Sequence, residues 1–159
     1  MIFITVGTQK FQFDRIFKMI DALVAQGIVL RKVFAQIGYS DYVPNSFEYE
    51  RFLEQEEFAR KIEQCDLLIT HSGVASIMAG LRANKPVIVV PRLAKYGEHV
   101  DDHQIQIAEA FSQQKVVLMC GENDNLLEKI ESAKTYEFAK YEAQQVQMVQ
   151  VIREYLETL

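Results

Sequence analysis

The chain has 159 residues, 49% of them hydrophobic, and a formal net charge of −5 at pH 7. That length suits one soluble domain able to bury roughly 68–70% of its unfolded surface, and the acidic balance excludes a non-specific nucleic-acid binder, which needs a basic face. No apolar run approaches the ~20 residues of a spanning helix, the amino terminus MIFITVGTQK reads as a strand rather than a signal peptide, and a cytoplasmic location is expected.

Residues 2–6 form a short apolar run rich in β-branched side chains, the pattern of a central parallel strand buried on both faces. Gly7-Thr8-Gln9 breaks it. Residues 13–26 place Ile16, Phe17, Ile20, Leu23 and Val24 three and four apart, which predicts a helix with Gly27 as its carboxyl cap. A second strand is expected over 28–37, a polar aromatic loop over 39–45, an edge strand over 46–52, and a charged helix over 54–64 with Phe58 and Ile62 turned inward. Residues 66–70 read as a buried strand, His71-Ser72-Gly73 as a tight turn, and 74–83 as an amphipathic helix. Residues 86–91 supply another strand, 92–100 a polar loop, and 102–114 a helix with Ile105, Ile107, Ala108 and Phe111 on its apolar side. A last strand over 116–119 and a helix over 125–132 follow. The tail, 136–159, carries a long helical pattern that either packs on its own sheet or docks partly on a partner. Strand and helix alternate throughout, which predicts an α/β fold: one Rossmann-like domain over 1–159, with a mostly parallel sheet and a long C-terminal helix. Cys65 and Cys120 flank opposite ends of their strands, so both read as buried thiols rather than a disulfide.

The chemistry is expected over 70–104, a window that holds all three histidines and two consecutive strand-to-helix junctions. Parallel sheets bind ligands at the carboxyl ends of their strands, near helix amino termini. The first junction, Gly7-Thr8-Gln9, lacks the spacing of a dinucleotide fingerprint or a Walker loop. It reads either as a plain turn or as a place where backbone approaches a ligand beside the Thr8 hydroxyl. At His71-Ser72-Gly73-Val74-Ala75-Ser76, Ser72 is expected to cap a helix whose free amides also favour an anion. His71 reads as a base or as a hydrogen-bonding prop. Further on, Arg92, Lys95, Tyr96, Glu98 and His99 crowd one loop, Asp101 or Asp102 should cap the next helix, and Gln104 in its first turn can reach a ligand. His99 and His103 do not read as a metal pair, because the cap falls between them.

Taken together, Gly7-Thr8-Gln9, His71-Ser72-Gly73 with Ser76, and Pro91 followed by Asp102-His103-Gln104 resemble the donor-binding C-terminal half of family-28 glycosyltransferases. That group includes the peptidoglycan GlcNAc transferase and the catalytic subunit of the dolichol-pathway GlcNAc transferase. The string Lys85-Pro86…Val90-Pro91-Arg92…Lys95-Tyr96-Gly97-Glu98-His99-Val100-Asp101-Asp102-His103-Gln104, with the opening Thr5-Val6-Gly7-Thr8-Gln9-Lys10-Phe11-Gln12-Phe13-Asp14, is similar to the small catalytic subunits of bacterial exopolysaccharide and capsule β-1,4-glycosyltransferases, of the PssE, EpsF and CpsG type.

The resemblance implies the donor-binding half of a GT-B enzyme that takes a UDP-sugar. It carries a diphosphate contact to Thr8, the glycine turn and helix start to Ser72, Gly73 and Ser76, and a donor-sugar contact to Gln104. The implied donor set is Gly7, Thr8, Gln9, His71, Ser72, Gly73, Val74, Ser76, Arg92, Lys95, Tyr96, Glu98, Asp102, His103 and Gln104. Where many relatives have a ribose-binding glutamate this chain has Ala79, a loss that Glu98 could replace. A complete GT-B enzyme has two such halves and this chain has room for one. The implied partner is a membrane-anchored, acceptor-binding subunit (PssD- or EpsE-like) that presents a lipid-linked saccharide and recruits the chain to the inner membrane face. The expected reaction is inverting transfer of Gal, GlcA, Glc or GlcNAc to an undecaprenyl-diphosphate-linked sugar. Neither metal nor cofactor takes part. Helix amino termini and Arg92 or Lys95 stabilise the leaving UDP, and His71, His99 or a partner residue acts as base. The alternatives are a non-catalytic nucleotide-sugar-binding subunit and, more remotely, an NAD-type Rossmann enzyme.

Overall fold

The computed structural model describes residues 1–140. In chain order its elements are β1 (Ile2–Thr5), α1 (Asp14–Ala25), β2 (Val33–Gln36), β3 (Glu48–Glu50), α2 (Gln55–Gln64), β4 (Leu67–Thr70), α3 (Val74–Arg82), β5 (Val87–Val89), α4 (His103–Gln113), β6 (Leu118–Met119) and α5 (Leu126–Ala133). The strands form one sheet in the order β3-β2-β1-β4-β5-β6, and every pairing is parallel. Chain order runs outward in both directions from β1 and β4, so a crevice opens where the connections diverge.

Side-chain alternation along the strands divides the core into two layers. Ile2 and Ile4 of β1, with Ile69 and Ile88, pack on Ile16, Phe17 and Ile20 of α1 and Leu126 and Ile130 of α5. Phe3, Leu68 and Val87 pack on the opposite face against Ile62 of α2, Ile77 and Leu81 of α3, and Phe111 of α4. Both central strands are buried along their whole length, which is why they read as unbroken apolar runs. The register aligns Thr5 with Gln36 on one side and Thr70 on the other. These three make a polar row at the carboxyl edge of the sheet.

Two expected elements differ. The second strand begins only at Val33. Gly27, at φ +72°, ends α1 in a Schellman turn in which the Gly27 amide donates to Val24 O and the Ile28 amide to Leu23 O. That turn takes up Ile28 and Val29, of which only Val29 is buried, and leaves Leu30 87% exposed, so the apolar run over 28–30 does not enter the sheet. The long C-terminal helix has not begun by Lys140, since residues 136–140 are non-helical; the rest of that expectation lies outside the described residues. The two cysteines are free and buried. Among the described residues no helix is long and apolar enough to cross a membrane.

Candidate functional site

A cleft of about 900 Å³ opens above the carboxyl ends of β1, β2 and β4. The β1–α1 loop contributes Gly7, Thr8 and Gln9, the β4–α3 junction contributes His71 through Ser76, and Gln104 enters from α4. The structure therefore brings these predicted residues into one site. Gln36, Leu53, Gln55, Phe58, Met78 and Arg82, which also line the cleft, escaped the sequence reading as site residues. A signal was available, because a parallel sheet sends the ends of β2 and β3 to the same edge as β1 and β4. Met78 and Arg82 lie four residues apart on one face of α3.

His71 sits between the two glycine turns and is 4% exposed. A Cβ on Gly7 would come within 2.6 Å of its Nε2, and one on Gly73 within 2.5 Å. Gly7 also holds φ +74°, a left-handed conformation that side chains rarely adopt. Burial, then the charges of Arg92 and His99, push the His71 pKa down to about 3. The ring is therefore neutral at pH 7. Its Nδ1 faces Gln104 Nε2 at 3.4 Å, while the Ser72 and Arg92 amides donate to Gln104 Oε1 at 3.3 and 2.9 Å.

Ser72 does not cap α3. Gly73 holds the cap position with no side-chain bond, and the first helical bond runs from the Ile77 amide to Gly73 O. The amides of Val74, Ala75 and Ser76 precede that bond, so the helix end remains available to an anion. Ser72 Oγ is buried and, among the described residues, has no partner. Among the same residues Thr70 Oγ1, at the end of β4, is likewise unpaired.

The third loop is built differently from its polar composition. Arg92 is fully buried, donating from Nη1 to the carbonyls of Phe11 (3.0 Å), Gln12 (3.3 Å) and Glu98 (3.1 Å), and from Nη2 to that of Val6 (2.6 Å). Its guanidinium lies 5.1 Å from the Phe13 ring centre. Burial lowers its pKa to about 10, against the raising effect of Glu98, so it stays charged at pH 7. Arg92 is thus an internal strut between the loops after β1 and β5, not a cation facing the cleft. Glu98, also buried, receives Arg15 Nε and Nη2 at 3.1 Å each and the Leu93 amide at 2.9 Å. Committed to that pair and absent from the cleft, Glu98 does not supply the carboxylate missing at Ala79, which lines a neighbouring groove between α2 and α3.

Lys95 and Tyr96 both pair with Glu122 on the surface, and Tyr96 borders a separate depression with Arg15 and Glu98. His99 and Asp101 pair at 3.2 Å. Asp101 accepts the His103 amide at 3.0 Å, whereas Asp102 accepts the Ala94 amide at 2.9 Å. Asp102 thus holds the cap position of α4 with no side-chain bond to the helix, and Asp101 before it takes the first helical amide. Arg92, Lys95, Tyr96, Glu98, His99, Asp102 and His103 are not among the residues lining the cleft.

The sequence model of the Glycosyltransferase family 28 C-terminal domain matches residues 1–156. The chain belongs to this family. Curated relatives of this family-28 domain carry the description UDP-N-acetylglucosamine transferase subunit ALG13. The Mus musculus protein is 24% identical over 127 residues, 74% of this chain and 10% of its own length. The Yarrowia lipolytica protein is 32% identical over 81 residues, 50% of this chain and 36% of its own length. The chain thus spans between a tenth and about a third of these two relatives. Among solved structures, the glycotransferase of kitacinnamycin aligns with a TM-score of 0.61 at 18% identity, covering 98% of this chain and 39% of that one. The NMR structure of ALG13 aligns at 0.57 and 19% identity, covering 88% of both. At those identities the alignments establish the fold, a Rossmann-like GT-B half.

Proposed function

We propose that this family-28 domain is the donor-binding, catalytic subunit of a two-component glycosyltransferase, taking a UDP-sugar in the cleft above β1 and β4. One observation carries the reading: the uncapped amino terminus of α3 meets a buried Ser72 hydroxyl, without a partner among the described residues, and a neutral imidazole between two glycine turns. Amides, a hydroxyl and a neutral N–H suit a diphosphate, because they bind anionic oxygen without a counter-charge. The described lining residues include no carboxylate, consistent with a metal-independent mode of binding.

In the reaction an acceptor hydroxyl oxygen bonds to the anomeric carbon as the bond from that carbon to the diphosphate oxygen breaks, with inversion and loss of UDP. Charge growing on the leaving oxygen is met by the α3 amides, Ser72 Oγ and the His71 ring. The acceptor proton goes to a base outside the described cleft, in a membrane-anchored partner that presents a lipid-linked saccharide. The chain then works in the cytoplasm, at the inner membrane face, without a cofactor. The names of the relatives favour GlcNAc as the sugar, and the sequence resemblance to exopolysaccharide and capsule enzymes keeps Gal, Glc and GlcA as further donors. A second reading, a non-catalytic nucleotide-sugar-binding subunit, draws support from the missing base.

Isothermal calorimetry with UDP, UDP-GlcNAc, UDP-Gal, UDP-Glc, UDP-GlcA and NAD tests the donor class. UDP is expected to bind and NAD to give no heat. At a hundred times its Kd, UDP should stabilise the fold by about 2.7 kcal/mol. Binding of NAD but not UDP would overturn the reading. Sugar transfer by the partner alone at full rate would favour the non-catalytic subunit.

A further inference from the structure

Gln104 is 1% exposed, and its amide is committed on three sides. Oε1 accepts from the Ser72 amide after β4 and from the Arg92 amide after β5. Both partners are backbone donors, so the orientation of the side-chain amide is determined by its surroundings. Nε2 must then face His71 Nδ1, and as Nε2 has only protons to offer, Nδ1 must accept. A neutral imidazole that accepts at one nitrogen carries its proton on the other. That other nitrogen, Nε2, is the ring atom close to both Gly7 and Gly73, at the floor of the cleft.

We propose that Gln104 is the positioning residue of this cleft: it ties the β4–α3 and β5–α4 loops together and fixes the His71 tautomer, so that the ring offers an Nε2 proton to a ligand. The side chain acts through His71 and the two loop amides. The proposal rests on the nucleotide-sugar reading only in naming the recipient of that proton, a diphosphate oxygen.

The test is a long-range ¹⁵N–¹H spectrum of the histidine rings of the full chain at pH 7, assigned with His99→Gln and His103→Gln. The His71 ring should show a protonated Nε2 and a bare Nδ1, and should not titrate between about pH 5 and 8. Gln104→Glu keeps an oxygen that accepts both loop amides but places a carboxylate, which only accepts, against Nδ1. It should move the proton signature onto Nδ1 or charge the ring. A wild-type ring protonated at Nδ1, or a Gln104→Glu spectrum unchanged at His71, overturns the proposal, and the wild-type spectrum decides even if the variant does not fold. Adding UDP to the wild type should shift the Nε2 resonance. The expected tautomer with no response to UDP would support the role of Gln104 and overturn the nucleotide reading.

Discussion

The His71 ring links the cleft to stability. In the folded chain its pKa is about 3, against 6.5 for a free histidine, with burial the first cause. Because the folded value is the lower one, its contribution is complete above about pH 6.5 and is lost toward pH 3, at about 1.4 kcal/mol per pH unit. Urea unfolding at pH 6.5 and 4.5 should therefore show a loss of roughly 2–3 kcal/mol from this ring, and His71→Asn should remove that part of the slope. Equal slopes in the two proteins would mean that the ring is not held neutral. The flanking glycines make a second prediction. At Gly7 an alanine must take φ +74° and bring its Cβ to 2.6 Å from Nε2. Gly7→Ala should cost about 1–3 kcal/mol in urea unfolding and weaken UDP binding by at least about tenfold, about 1.4 kcal/mol, because the ring must leave its place. Both glycines were legible as turns in the sequence. Their role in clearing space for an imidazole was not, since it depends on two loops 64 residues apart converging on one ring. Arg92 was misread for a related reason: four carbonyl partners spread over two loops distant in sequence leave no local trace.

Among the elements, the helices were legible because their apolar spacing is a local property. Ile16, Phe17 and Ile20 fall on the core side of α1 as the pattern required. Helix ends depended on more. The Schellman turn at Gly27 absorbed residues that resemble a strand, and the α3 cap passed from Ser72 to Gly73. The connection after β2 is ordered by α1 rather than by its own sequence. Asp14 Oδ1 accepts the Asp41 and Tyr42 amides, and the Asp21 carboxylate accepts the Tyr42 hydroxyl and the Asn45 and Ser46 amides. Burial opposes the charge on Asp21, but these hydrogen bonds outweigh it and hold the carboxyl below its usual range. Its contribution is accordingly present above the ordinary aspartate value and fades as pH falls through the lower folded one. Asp21→Ala should cost about 2–3 kcal/mol at pH 7 and speed amide exchange at Asn45 and Ser46. If their exchange stays unchanged, Asp21 does not anchor this loop.

At the level of the whole molecule, the parallel sheet follows from alternating strand and helix patterns, and its order places the β1 and β4 loops side by side at one edge. Binding and chemistry can then be separated. The cleft offers hydrogen-bond donors suited to a diphosphate, yet its described lining supplies no carboxylate and its imidazole is held neutral. If the cleft takes UDP as proposed, retaining it needs only these donors, whereas the proposed base that takes a proton from the acceptor hydroxyl belongs to the partner. On the proposed reading, the isolated chain should bind UDP-sugar and leave lipid-linked acceptor unglycosylated, and adding the membrane-anchored partner should start transfer. General base catalysis contributes about 10²–10⁴-fold, so a partner lacking its base should still bind this chain and lose activity by a factor of that order. Transfer should persist in EDTA, because the charge on departing UDP is met by N–H and O–H donors. Two results would each sink the scheme: transfer by the isolated chain at the rate of the pair, and complete inhibition of the pair by EDTA.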